Sequence, residues 1–87
     1  MKIKQMKSNR GNAIANQFVV DAFNEKYFQS YDSIIVKIIN NKVFLDEYYW
    51  DYSMTTSKYR NQFLNETTKE TQEKINSGEY KLTNLNK

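Results

Sequence analysis

Ser33-Ile34-Ile35-Val36-Lys37-Ile38-Ile39-Asn40-Asn41-Lys42-Val43-Phe44-Leu45-Asp46 is the stretch whose reading decides the fold. Two runs rich in apolar residues flank Asn40-Asn41, and Asn tolerates the positive φ that a two-residue primed turn requires at both central positions. That turn pairs Ile39 with Lys42, Ile38 with Val43, Lys37 with Phe44 and Val36 with Leu45. Side chains alternate across a strand, so Val36, Ile38, Val43 and Leu45 share one face, which must be core. Ile35, Lys37, Phe44 and Asp46 share the other, mixed face.

Working outward, Ala13 to Phe23 is β-rich around Phe18-Val19-Val20, with Ile14, Phe18 and Val20 expected on one face. Asn24-Glu25 is the expected turn into a strand over 26–31. Residues 1–7 form a weaker strand, and Gly11-Asn12 separates it from the next. Beyond Trp50 the period changes from two to that of a helix. Ser53 or Thr55 caps a helix in which Tyr59 and Phe63 lie four apart, with Leu64 beside them. Thr67-Thr68-Lys69-Glu70 fits a capping box, and Gly78 supplies a left-handed stop. Ile75 is the lone strong anchor of this second helix, and Tyr80, Leu82 and Leu85 suggest a last short strand. The expected class is α+β: an antiparallel sheet of about five strands, two short helices after residue 53 and a short closing strand.

Eighty-seven residues make one domain over 1–87, with 1–11 as a basic N-terminal strand or arm. No cysteine is present, so neither a disulfide nor a thiolate site assists so small a core. Seven Tyr, five Phe and one Trp compensate with large buried area per residue. No apolar run approaches the length needed to cross a bilayer, and no apolar stretch follows the basic N-terminus as in a signal peptide. The expected compartment is the cytoplasm.

The absence of His and Cys removes the commonest general base, the commonest zinc ligands and the thiolate nucleophile. Two glycines allow neither a phosphate-cradling loop nor a dinucleotide fingerprint. Ser57-Lys58 are helix neighbours that point apart, and Asp46 and Glu47 alternate across a strand. Asp51 reads as a turn or cap acid rather than a base or a Mg²⁺ ligand. The chain is therefore expected to be no enzyme and to need neither cofactor nor metal.

Leu45-Asp46-Glu47-Tyr48-Tyr49-Trp50-Asp51-Tyr52-Ser53 concentrates the aromatic content. Trp50 is expected to be buried at the junction of sheet and helices, packed with Phe63. Read as extended backbone, the segment sends Tyr49 outward with Glu47 and Asp51. Glu47, Tyr49, Asp51 and Tyr52 are thus the expected protein-binding residues. A nucleic-acid surface is the alternative: Tyr27, Tyr31 and Phe44 would stack bases, with Lys2, Lys4, Lys7, Arg10, Lys37, Lys58 and Arg60 around them. The net charge of +3 is compatible with either. A structural or assembly role as a homodimer, through a sheet edge or the aromatic block, is a third reading.

The segments at 27–35, 45–53, 55–64, 66–72 and 77–80 together resemble a family of short uncharacterised proteins carried by phages and mobile elements of Gram-positive bacteria. Trp50-Asp51-Tyr52-Ser53 through Phe63-Leu64 is the most specific block, and Met54 stands where a basic residue is expected. The resemblance supplies no catalytic or binding residue. It implies a bacteriophage accessory protein that binds a host or defence protein, as an anti-CRISPR-type inhibitor does.

Overall fold

A computed structural model describes residues 2–8 and 10–86. Six strands form one sheet in chain order: β1 (Lys2–Lys7), β2 (Ala13–Ala22), β3 (Glu25–Ser30), β4 (Ser33–Ile39), β5 (Lys42–Asp46) and β6 (Tyr80–Thr83). Helices α1 (Met54–Leu64) and α2 (Thr68–Ser77) lie between β5 and β6. The class is α+β, as expected. Of the expected N-terminal arm, Met1 and Asn9 lie outside the described residues; Lys2–Lys7 is the edge strand β1.

The β4–β5 hairpin has the expected register, Val36 opposite Leu45 and Ile39 opposite Lys42. Asn40 and Asn41 both take positive φ, 51° and 66°, as a primed turn requires. Val36 and Leu45 are buried, and Ile38 and Val43 pack against them. Ile35 departs from the mixed face. A bulge in the β3–β4 pairing places Phe28 opposite Val36 and Gln29 opposite Ile34. Ile35 is the extra residue, and it joins Val36 in the core.

The expected apolar face of β2 is also corrected. Asn16 adopts a left-handed φ of 64°, and its carbonyl accepts from the Tyr31 amide at 2.7 Å. This break shifts the alternation, so Ile14, Gln17 and Val19 meet the core while Phe18 and Val20 lie outside the core cluster. The following turn is Phe23-Asn24, one residue earlier than expected, and Glu25 begins β3.

β6 runs parallel to β5, pairing Val43 with Tyr80 and Leu45 with Leu82. Parallel neighbours need a crossover rather than a tight turn, and the two helices supply it. Ser53 caps α1, accepting from the Thr56 amide. Thr67 and Glu70 form the capping box of α2, and Gly78 ends it at φ 87°. Both helices lie on one side of the sheet: Phe63 stacks on Phe28 at 5.7 Å, the Thr56 and Ser30 hydroxyls meet at 3.0 Å, and Ile75 packs on the core. Tyr80 is buried, and its hydroxyl donates to Glu66. Burial and that carboxylate push the Tyr80 phenol up to about 12.

Candidate interaction surfaces

Residues 47–52 coil rather than extend, because the Trp50 amide donates to the Asp46 carbonyl at 3.0 Å. The Asp46 side chain, expected on a mixed face, is buried and organises the corner. One carboxylate oxygen accepts from the Tyr48 and Tyr49 amides, at 3.1 and 2.9 Å. The other accepts from the Leu85 amide at 2.8 Å and the Asn86 side chain at 3.0 Å. Burial alone would raise the Asp46 pKa, but these four donors outweigh it and hold the carboxyl below the usual range. Asn86 also bonds both the amide and the carbonyl of Ile34, supplying a pairing partner where β5 has ended. Leu85, expected in the last strand, lies beyond it in this docked tail.

Coiling exchanges the expected directions of Tyr48 and Tyr49. Tyr49 turns inward, is half-buried and packs against the core. Tyr48 and Tyr52 point outward, 74% and 53% exposed. Each meets the Tyr49 ring edge-on, with centroids 4.7 and 5.2 Å apart, so the inner ring supports the outer two. Met54, 91% exposed, follows at the start of α1. It lines an open depression of about 750 Å³ together with Asp51, Tyr52, Ser57 and Lys58. Glu47 is exposed beside Tyr48 and lines a different depression, with Tyr48, Tyr49, Asn84 and Asn86.

Trp50 is half-buried, but its expected partner Phe63 is taken by Phe28. The guanidinium of Arg60 lies 5.1 Å from the indole centroid instead. Arg60, placed by sequence among phosphate contacts, is fully buried. It donates to the Trp50 carbonyl, to Asn61 Oδ1 at 2.9 Å and to Thr68 Oγ1 at 2.8 Å, and it pairs with Asp51 at 3.3 Å. Burial pulls its pKa down from the usual value, against the opposing pull of Asp51. Arg60 thus ties the corner, α1 and α2 together and is unavailable to an external phosphate. Asp51 is committed too, accepting from Ser57 Oγ at 2.6 Å. That hydroxyl in turn accepts from Arg60 Nη1 at 3.4 Å, so Ser57 joins the same network.

The remaining sequence-selected cations do not form one surface. Lys2 and Lys4 sit opposite Asp21 and Val19, on the helix side at the free edge of the sheet. Arg10 and Lys58 line a separate depression with Tyr59 and Gln62. Lys37 lies on the side without helices, where the register sets Val20, Tyr27, Lys37, Phe44 and Lys81 in one row across five strands. Alternation adds Lys42 to that side beside Phe44 and Lys7 beside Gln5. Tyr31 is half-exposed in the β3–β4 turn, apart from the row. Sequence reasoning missed Lys42 and Lys81. Lys42 was legible from the hairpin register; Lys81 depends on the parallel return.

A family model described as a family of unknown function (DUF8033) matches residues 1–79. The chain belongs to the DUF8033 family. No curated protein and no solved structure matches this DUF8033 protein. Among the described residues no cluster of three or more His, Cys, Asp or Glu is placed to hold a metal ion. Among the described residues of this DUF8033 protein no helix is long and apolar enough to cross a membrane.

Proposed function

We propose that this protein is a non-enzymatic binding protein that docks onto another protein through the corner between β5 and α1. The observation that carries this reading is the exposure of Tyr48, Tyr52 and Met54 within seven residues on a buttressed platform. Large side chains of these types are enriched at the centres of protein interfaces, where Tyr buries area at low entropic cost and Met adapts its shape to the partner. The platform is stiff because Asp46 bonds two of its amides and Tyr49 wedges between the outer rings. Little ordering entropy is then left to lose on binding.

The depression beside Tyr52 and Met54 accepts a side chain of the partner, and Glu47, exposed next to Tyr48, favours a basic group on it. The phage and mobile-element context implied by the resemblance makes a host or defence protein in the bacterial cytoplasm the partner class, with an anti-CRISPR-type inhibitor as one form. Residues 47 and 52, chosen from sequence, stay in the contact set. Tyr48 and Met54 replace Tyr49, which packs against the core, and Asp51, which is engaged by Ser57 and Arg60.

The test is capture from a Gram-positive cytoplasmic lysate by wild type and by a Tyr48→Ser/Tyr52→Ser double variant. Both ring removals are at exposed positions, so the melting temperature should stay within a few degrees. A stoichiometric partner held by wild type and lost by the variant supports the reading. A partner held equally by both refutes it.

A further inference from the structure

The helix-free side of the sheet carries a row of rings and lysines. Tyr27 and Phe44 occupy one row on strands separated by β4, about 10 Å apart at ordinary strand spacing. Lys37 stands between them, its ammonium 5.9 Å from the Tyr27 ring centroid. Lys81 extends the row beyond Phe44, and Val20 continues it beyond Tyr27. None of Phe18, Val20, Tyr27 or Phe44 belongs to the core cluster, and all are half-buried rather than covered. Both helices pack on the opposite side, so the rings are left facing solvent.

Charge selects the occupant. Lys7, Lys37, Lys42 and Lys81 stand on this side with few acids. Glu25 is engaged by the Tyr27 hydroxyl, Asp46 is buried under its four donors, and Glu79 is exposed just before β6, against the four lysines. A second copy of the chain docked here about a two-fold axis would bring lysine against lysine, which costs energy. We propose that this face binds single-stranded nucleic acid, with bases stacked on Tyr27 and Phe44 and phosphates held by Lys37, Lys42 and Lys81. Alternating rings and cations suit unpaired bases, whose faces are free; a duplex offers only its phosphates to such a surface. The surface shares no residue with the β5–α1 corner, so this inference and the protein-docking reading stand or fall separately.

The test is anisotropy titration of labelled oligothymidylate and oligouridylate, with a blunt duplex as comparison, using the full chain at low and at physiological salt. Binding should weaken with salt at a logarithmic slope of about −2, as expected for three phosphates on a single strand. Lys37→Glu/Lys81→Glu should weaken it by well over ten-fold and flatten the slope. Phe44→Leu keeps an apolar side chain but removes the stacking plane, and should cost about ten-fold with the slope unchanged. Tyr48→Ser/Tyr52→Ser should have no effect. Absence of binding at low salt overturns the proposal, as does equal affinity for the duplex or indifference to Phe44→Leu. Self-association in sedimentation that Lys37→Glu abolishes would instead assign the face to a second copy and overturn it too.

Discussion

Replacing Arg60 by methionine should cost about 2–3 kcal/mol of folding stability, because the guanidinium supplies a charged hydrogen bond worth about 1.5–3 kcal/mol and a ring contact worth about 1 kcal/mol. The arithmetic follows from what each partner loses. The Trp50 carbonyl loses its charged donor. Thr68 Oγ1 keeps a second donor, Asn61 Nδ2 at 3.1 Å, and Asp51 is 44% exposed and can be hydrated. These two contribute little, and removing a buried charge offsets part of the loss. For a domain of this size the change corresponds to a fall of about 10–20 °C in Tm. Arg60→Lys should be nearly as costly, since one ammonium cannot reach both the Trp50 carbonyl and Thr68 nor stack flat on the indole. Urea unfolding followed by far-UV circular dichroism, with Trp50 fluorescence as the local probe, measures both variants. A loss below about 1 kcal/mol, within the range of ordinary surface substitutions, or full retention of stability by lysine, would refute the placement of Arg60 at the centre of the corner.

Asp46→Asn should destabilise by about 2 kcal/mol at neutral pH, since the amide turns donors toward backbone amides that need an acceptor. The folded pKa of Asp46 lies below its unfolded value, so its contribution is complete above the ordinary carboxylate pKa of about 3.9 and disappears as pH falls through the folded value. The gap between wild type and variant should therefore narrow on acidification below that point; a constant gap would contradict the assignment. Gln17 is buried, and among the described residues neither of its side-chain amide atoms has a hydrogen-bond partner, so Gln17→Met should stabilise by about 1–2 kcal/mol in urea unfolding. Destabilisation there would mean that the amide is satisfied in the folded protein.

The hairpin was legible because its two turn positions and both apolar faces agree on one register, and a one-residue slip would have turned Val36 and Leu45 outward. The caps were legible because Ser53, Thr67, Glu70 and Gly78 each act within a few residues of themselves. What sequence alternation misplaced lies at breaks in that alternation: the left-handed Asn16, the bulge that sends Ile35 inward, and the coil at 47–52. Such breaks are stabilised by partners distant in sequence, the Tyr31 amide for Asn16 and the Leu85–Asn86 tail for Asp46, so local patterning does not announce them. Arg60 misled for a related reason. An arginine beside lysine and tyrosine reads as surface charge until the carbonyl of Trp50 and the hydroxyl of Thr68 are brought to it by the chain's return.

Site-specific photo-crosslinking tests the docking reading most directly. A benzoylphenylalanine placed at Tyr48 should, on irradiation in the cytoplasmic lysate, yield one discrete adduct, diminished by unlabelled wild type and not by Tyr48→Ser/Tyr52→Ser. The same probe at Phe23, 91% exposed in the β2–β3 turn and outside the corner, should yield none of it. The same adduct from both positions, or none competed from position 48, would contradict a protein-docking role for the corner.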